Sequence, residues 1–166
     1  PRCTPLPTPV RARRGSNLYS NMRGEAILRA GDDAVLGEID RLGLIRAAEV
    51  QGNSLKAELA KLMHRYPFIG DVRGKGLLLA FELVSDRETI EPLPVALNAH
   101  LRLVDIAYER GLIIYSRRTR GGRIGDHFMV CPPLIISEDQ IGEIMDMLIA
   151  SLDQFAGEAG LPVAGA

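Results

Sequence analysis

With 166 residues the chain has the length of one domain, enough to bury a real core. A formal net charge of −1 excludes a general attraction to nucleic acid or to an acidic membrane surface. Two cysteines, Cys3 and Cys131, in unrelated surroundings exclude a disulfide framework and point to a reduced, cytoplasmic protein, and no apolar run approaches the ~18 residues of a membrane span.

The charge is unevenly spread along the chain. Residues 1–24 carry five arginines (Arg2, Arg11, Arg13, Arg14 and Arg23) and no acid, whereas residues 25–166 hold 15 basic and 21 acidic side chains. The opening "PRCTPLPTPV" has four prolines in ten positions, which rules out the amphipathic helix of a transit peptide. Residues 1–24 therefore read as a disordered or non-native segment.

From Ala26 the pattern becomes periodic. Ile27, Leu28, Val35, Leu36, Ile39 and Leu42 recur at mostly helical spacing, and Gly43 is a stop. A second helix is predicted from Leu44 to Tyr66, because Leu55, Leu59, Leu62 and Tyr66 form one stripe while Lys56, Glu58, Lys61 and Arg65 take the other face. Pro67 ends it. "FIGDVRGKGLLLAFELV" then gives a short strand at 69–73, a glycine turn, and a strand at 76–84 whose nearly continuous apolar run predicts cover on both faces.

A polar connection leads to a helix over about 95–110, with Leu97, Leu101, Val104 and Tyr108 as its stripe and Gly111 at its end. "LIIYS" reads as a strand, followed by a loop holding Arg117, Arg118, Arg120 and Arg123, and then a strand at 127–131. Ser137 opens the last helix, with Gln140 completing a capping box and Ile141, Ile144, Met145, Leu148, Leu152 and Phe155 on the buried side. The order predicts an α+β two-layer sandwich: a small, mostly antiparallel sheet of about four strands with helices packed over it.

Most motifs that carry chemistry are missing. "GDVRGKG" is one residue short of a phosphate loop, lacks its hydroxyl and leads into a strand, so it reads as a turn. His64, His100 and His127 are scattered with no partner at ligand spacing, and no metal site is expected. Cys131 reads as a small buried residue at a strand end rather than a nucleophile. The arginine loop leaves three readings open: a solvated loop, bidentate capture of one carboxylate, or a nucleic-acid patch. The acidic remainder and the scarcity of aromatics argue against the third.

Three segments carry a resemblance. The "GDVRGKGL" turn, the "GDHFMVCPPL" segment and the "ISEDQI" helix start occur in an order that resembles the C-terminal small domain of class III aminotransferases, over about Val35 to Phe155. The resemblance implies pyridoxal 5'-phosphate as cofactor, an amino-acid or amine donor, a keto-acid acceptor and a homodimer, with the Schiff-base lysine in a preceding large domain. It divides the chain into residues 1–24, the aminotransferase domain at 25–157, and a flexible tail at 158–166.

None of the three lysines, Lys56, Lys61 and Lys75, matches the family's catalytic lysine, so the resemblance implies no catalytic or cofactor-binding residue here. Such a chain is expected to be inactive alone; the alternative is a non-catalytic binding or assembly module that pairs with a separate large domain. "SNLYSNMRGEAILRAG", residues 16–31, departs from the family pattern, which suggests a truncated or frame-shifted start. Some members place a substrate-carboxylate arginine at the position of Gly122, and Arg120 and Arg123 on either side are the candidate substrate-binding residues. Asp126 and the Pro132–Pro133 pair match the family and are expected to fix the loop.

Overall fold

A computed structural model describes residues 26–164, apart from the side chains of residues 26–30, 32 and 120. The chain divides into two units, residues 1–44 and 45–166. In the first, the described element is helix α1 (Ala26–Arg41), where Val35 and Leu36 are each 60% exposed. Gly43 follows it at φ 62°, the left-handed conformation that stops a helix.

Helix α2 (Leu44–Arg65), in the second unit from Ile45 onward, leads into an antiparallel sheet of five strands. These are β1 (Ile69–Lys75), β2 (Leu78–Asp86), β3 (Glu91–Pro92), β4 (Tyr115–Thr119) and β5 (Ile124–Val130). Spatial order along the sheet is β1-β2-β5-β4, and the two-residue β3 adds to β2. Helix α3 (Ala99–Glu109) separates β3 from β4, and helix α4 (Glu138–Ala159) closes the fold. The α+β sandwich is thus the observed architecture, with β3 as the strand the sequence did not signal.

One core holds the helices to the sheet. Leu55, Leu59 and Leu62 of α2, Leu103 and Ile106 of α3, and Leu148, Leu152 and Phe155 of α4 meet Leu79, Phe81, Leu83, Phe128 and Val130 of the sheet. Phe81 and Phe128, directly paired across β2 and β5, stack with ring centroids 5.0 Å apart. Helix α4 starts where expected, since Ser137 and Gln140 form a capping box in which each side chain bonds the other's backbone N–H. The helix continues past residue 157 to Ala159, and Leu161 and Val163 lie against the core.

The "GDVRGKG" segment makes the expected turn. Lys75 pairs with Leu78, and Gly74 and Gly76 have φ of 136° and 54°. Helix α2 crosses close to this turn: a Cβ on Gly52 would lie 2.2 Å from the carbonyl carbon of Gly76. Glycine is required at residue 52 by this close approach of two backbones.

Four expectations are corrected. Strand β2 alternates: Leu79, Phe81 and Leu83 are buried while Leu78 is exposed and Ala80 and Glu82 are half-buried, so helices cover one face and not both. The 95–110 segment breaks into a 3-10 turn (Val95–Leu97) and α3, because Asn98 adopts φ 45°; α3 then buries Ala99, Leu103, Ile106 and Ala107 and leaves Leu101 and Tyr108 exposed. Leu112–Ile114 belong to no strand, and the strand begins only at Tyr115, opposite Met129. Cys131 is exposed, since it lies one residue beyond the last paired position of β5.

Candidate carboxylate site at the β4 edge

The later start of β4 changes the nature of the arginine segment. Arg117 and Arg118 belong to the strand, and strand geometry sends them to opposite faces. Arg118 turns inward with its side chain 9% exposed, and its Nε donates to Asp126 Oδ1 at 2.9 Å, the directly opposed residue on β5. Its second terminal nitrogen donates to Val95 O at 3.0 Å.

Asp126, with a side chain 1% exposed, does more than pair with Arg118. Its Oδ1 also accepts the backbone N–H of His100 at 3.3 Å in the first turn of α3. Asn98, the residue before that helix, gives no side-chain cap, so the carboxylate supplies the negative charge that a helix N-terminus favours. Ser116 completes the joint by donating its hydroxyl to the His100 carbonyl. The expectation that Asp126 fixes the loop as it leaves the strand therefore has a physical form: it ties β4, β5 and α3 together.

Beyond Thr119 the chain makes a 3-10 turn at Arg120–Gly122, with Gly121 and Gly122 at φ 71° and 81°. Thr119 donates its hydroxyl to Ile124 O at 2.8 Å and accepts Arg123 N–H on its carbonyl at 3.2 Å, closing the turn. Gly125 is buried at φ 81°, and a Cβ there would meet the Thr119 hydroxyl at 2.5 Å.

The two residues expected to bind substrate fall on this turn. Arg123 is exposed at its end; the side chain of Arg120 lies outside what the structure describes. Beside the turn, at the open edge of the sheet, is a cleft of about 490 Å³ lined by His100, Ser116, Arg117, Arg118, Thr119 and the two glycines. Sequence reasoning missed Arg117 and His100 as lining residues because it placed the arginines in a loop. Strand alternation, with an acid at residue 126 to partner one of two adjacent arginines, was the signal that could have found them.

Lys56 Nζ donates to Gly74 O at 3.2 Å, Lys61 pairs with Glu58 at 2.5 Å, and Lys75 ends β1 in the exposed turn, so no lysine reaches the arginine cleft. Among the described residues no group of three His, Cys, Asp or Glu side chains is placed to hold a metal, and no helix is long and apolar enough to cross a membrane.

Comparison with known proteins places this fold. The model of the family described as aminotransferase class-III matches residues 12–152, a span that takes in residues 16–31, where the sequence was read as departing from the family pattern. The chain is 33% identical over 137 residues to alanine–glyoxylate aminotransferase 2 homolog 2 of Arabidopsis thaliana, a mitochondrial protein, covering 82% of this chain and 26% of that one. It is 37% identical over 115 residues to a leucine/methionine racemase of Thermococcus litoralis, covering 69% of this chain and 24% of the racemase. An amine transaminase from an uncultivated Pseudomonas species, solved in its PLP-bound internal aldimine form, superposes with a TM-score of 0.64 at 33% identity, over 73% of this chain and 26% of that one.

The chain thus spans about a quarter of the length of these relatives. Family match, sequence relatives and superposed structure agree, and the chain belongs to the class III aminotransferases.

Proposed function

We propose that residues 45–159 serve as the C-terminal small domain of an aminotransferase that moves an amino group from an ω-amino acid or amine to a keto acid. Pyridoxal phosphate and the catalytic lysine then belong to a large domain that these residues complete, within a homodimer. The chain by itself is inactive on this reading. An exposed free thiol at Cys131 favours a reducing compartment, the cytoplasm.

The observation that carries the reading is the cleft at the β4 edge, a basic mouth mounted on a rigid strand pair and flanked by two positive-φ glycines. A guanidinium there suits bidentate pairing with a carboxylate, which orients a substrate rather than reacting with it. Arg120 and Arg123 flank the position where the family pattern puts its carboxylate arginine, and either would close on the substrate from the turn. A class III enzyme whose own small domain is replaced by this one tests the assignment through amine transfer to pyruvate.

A second reading, a non-catalytic module that pairs with a separate large domain, is favoured by one feature. Ile113, Tyr115 and Ile135 are 82%, 58% and 71% exposed, apolar side chains that a partner domain would cover. A chain that is monomeric and fully soluble when mixed with such a large domain counts against it.

A further inference from the structure

We propose that Arg117, which the family pattern does not mark, is the strand-mounted carboxylate-binding residue of the β4 cleft. The inference deepens the substrate-end reading above and rests on it for the identity of the anion as a carboxylate.

The assignment follows from what each lining residue is already doing. Arg118 is committed to Asp126 at 2.9 Å and to Val95 O at 3.0 Å. The Ser116 hydroxyl is given to His100 O, and the Thr119 hydroxyl to Ile124 O at 2.8 Å. Arg117 makes no ion pair or hydrogen bond among the described residues, and its directly opposed neighbour on β5 is His127 rather than an acid. Elsewhere in the sheet, Arg73 has both Asp71 and Glu82 at 2.9 Å, so an arginine on this sheet without a carboxylate is an exception.

The remaining electrostatics agree. Arg118 and Asp126 cancel, which leaves the Arg117 guanidinium as the uncompensated formal charge among the described lining residues. The first turn of α3 contributes His100 to the same cleft, and its Nδ1 is buried, 3.2 Å from Asp126 Oδ1 but with no hydrogen bond. A single fork of parallel N–H donors matches a planar carboxylate better than a tetrahedral dianion, for which several donors would have to converge. Strand β4 is held in register by β5, so Arg117 starts from a fixed Cα, whereas Arg123 rides on a turn built of glycines.

The test is a titration of the whole 166-residue chain with sodium acetate, followed by NMR at the Arg117 Nε–H and the His100 ring. Sodium chloride and inorganic phosphate are added in parallel arms at matched ionic strength. Saturable movement of both groups with acetate and not with chloride is expected, with affinity reduced at least tenfold in Arg117→Gln and held within twofold in Arg46→Gln, a change at an exposed position of α2 outside the cleft. No saturable response, an equal response to chloride, tighter binding of phosphate, or undiminished affinity in Arg117→Gln would each overturn the assignment. Should Arg117→Gln fail to fold, Arg117→Lys keeps the charge without the fork: a loss of threefold or more is expected, and an unchanged affinity refutes the bidentate contact. This titration has no catalytic readout, so it can fail while the domain replacement succeeds, and the reverse.

Discussion

Arg118 and Asp126 face each other across β4 and β5 with 2.9 Å between Nε and Oδ1, both nearly sealed from water, and the same carboxylate oxygen accepts the His100 backbone N–H. Three elements around the arginine cleft therefore share one buried charge. Asp126→Asn keeps an acceptor for His100 but strips the partner from a buried guanidinium. The expected loss is about 3–5 kcal/mol, the usual cost of breaking a buried pair from one side, measured by urea unfolding.

Gly52 and Gly76 make a second tight joint, where α2 meets the β1–β2 turn. In an open helix Gly→Ala gains up to about 1 kcal/mol, but at residue 52 the new methyl would sit 2.2 Å from backbone carbon. Gly52→Ala is expected to lower stability by about 1–3 kcal/mol. Asn53→Ala, one residue on and exposed, should raise the melting temperature slightly, and calorimetry on the pair separates overpacking from helix propensity.

Arg102 of α3 grips Glu158 of α4 through two bonds of 2.7 Å. The guanidinium, helped by the Gln154 amide, holds the Glu158 carboxyl at about 2, below the ordinary value of 4.5. A depressed carboxyl stabilises the fold above its unfolded pKa, and that contribution fades as pH falls through the folded one. Relative to wild type, Glu158→Gln should therefore melt lower at neutral pH, with the gap closing between about pH 4.5 and pH 2. Because the pair is exposed, added salt should shrink the gap too.

The three lysines all lie away from the arginine cleft, two of them tied to Gly74 O and Glu58. Incubating the chain with pyridoxal phosphate is expected to give no visible absorption band that survives desalting, and no amine transfer to pyruvate. A stable band would mean that one of these lysines forms a cofactor adduct after all.

How much of this was legible beforehand differs between elements. Capping residues and helix stripes marked α2 and α4 closely, because Ser137, Gln140 and the leucines of α2 act through local geometry that sequence spacing encodes. Helix α3 was placed with the wrong face inward: Leu101 and Tyr108 make a convincing stripe, but Asn98 rotates the helix start and the sheet selects Leu103 and Ile106. Arg117 and Arg118 looked like loop residues because β4 is short, polar and at an edge, with little apolar alternation to announce it. Their different tasks are set by the register with β5, a long-range fact that no window of local sequence holds. Glycine spacing did locate the "GDVRGKG" turn correctly, since Gly74 and Gly76 sit at positive φ there.

The central claim is that this domain supplies the substrate-carboxylate end of a class III aminotransferase. Its most direct test is to replace the small domain of the Pseudomonas amine transaminase with residues 45–164 and measure amine transfer to pyruvate from donors with and without a carboxylate. A folded, cofactor-loaded chimera is predicted to turn over, with KM for the carboxylate donor raised by Arg117→Gln, Arg120→Gln or Arg123→Gln and KM for the simple amine left alone. A chimera that is folded and loaded but transfers no amino group, or whose preference ignores those arginines, would contradict the account.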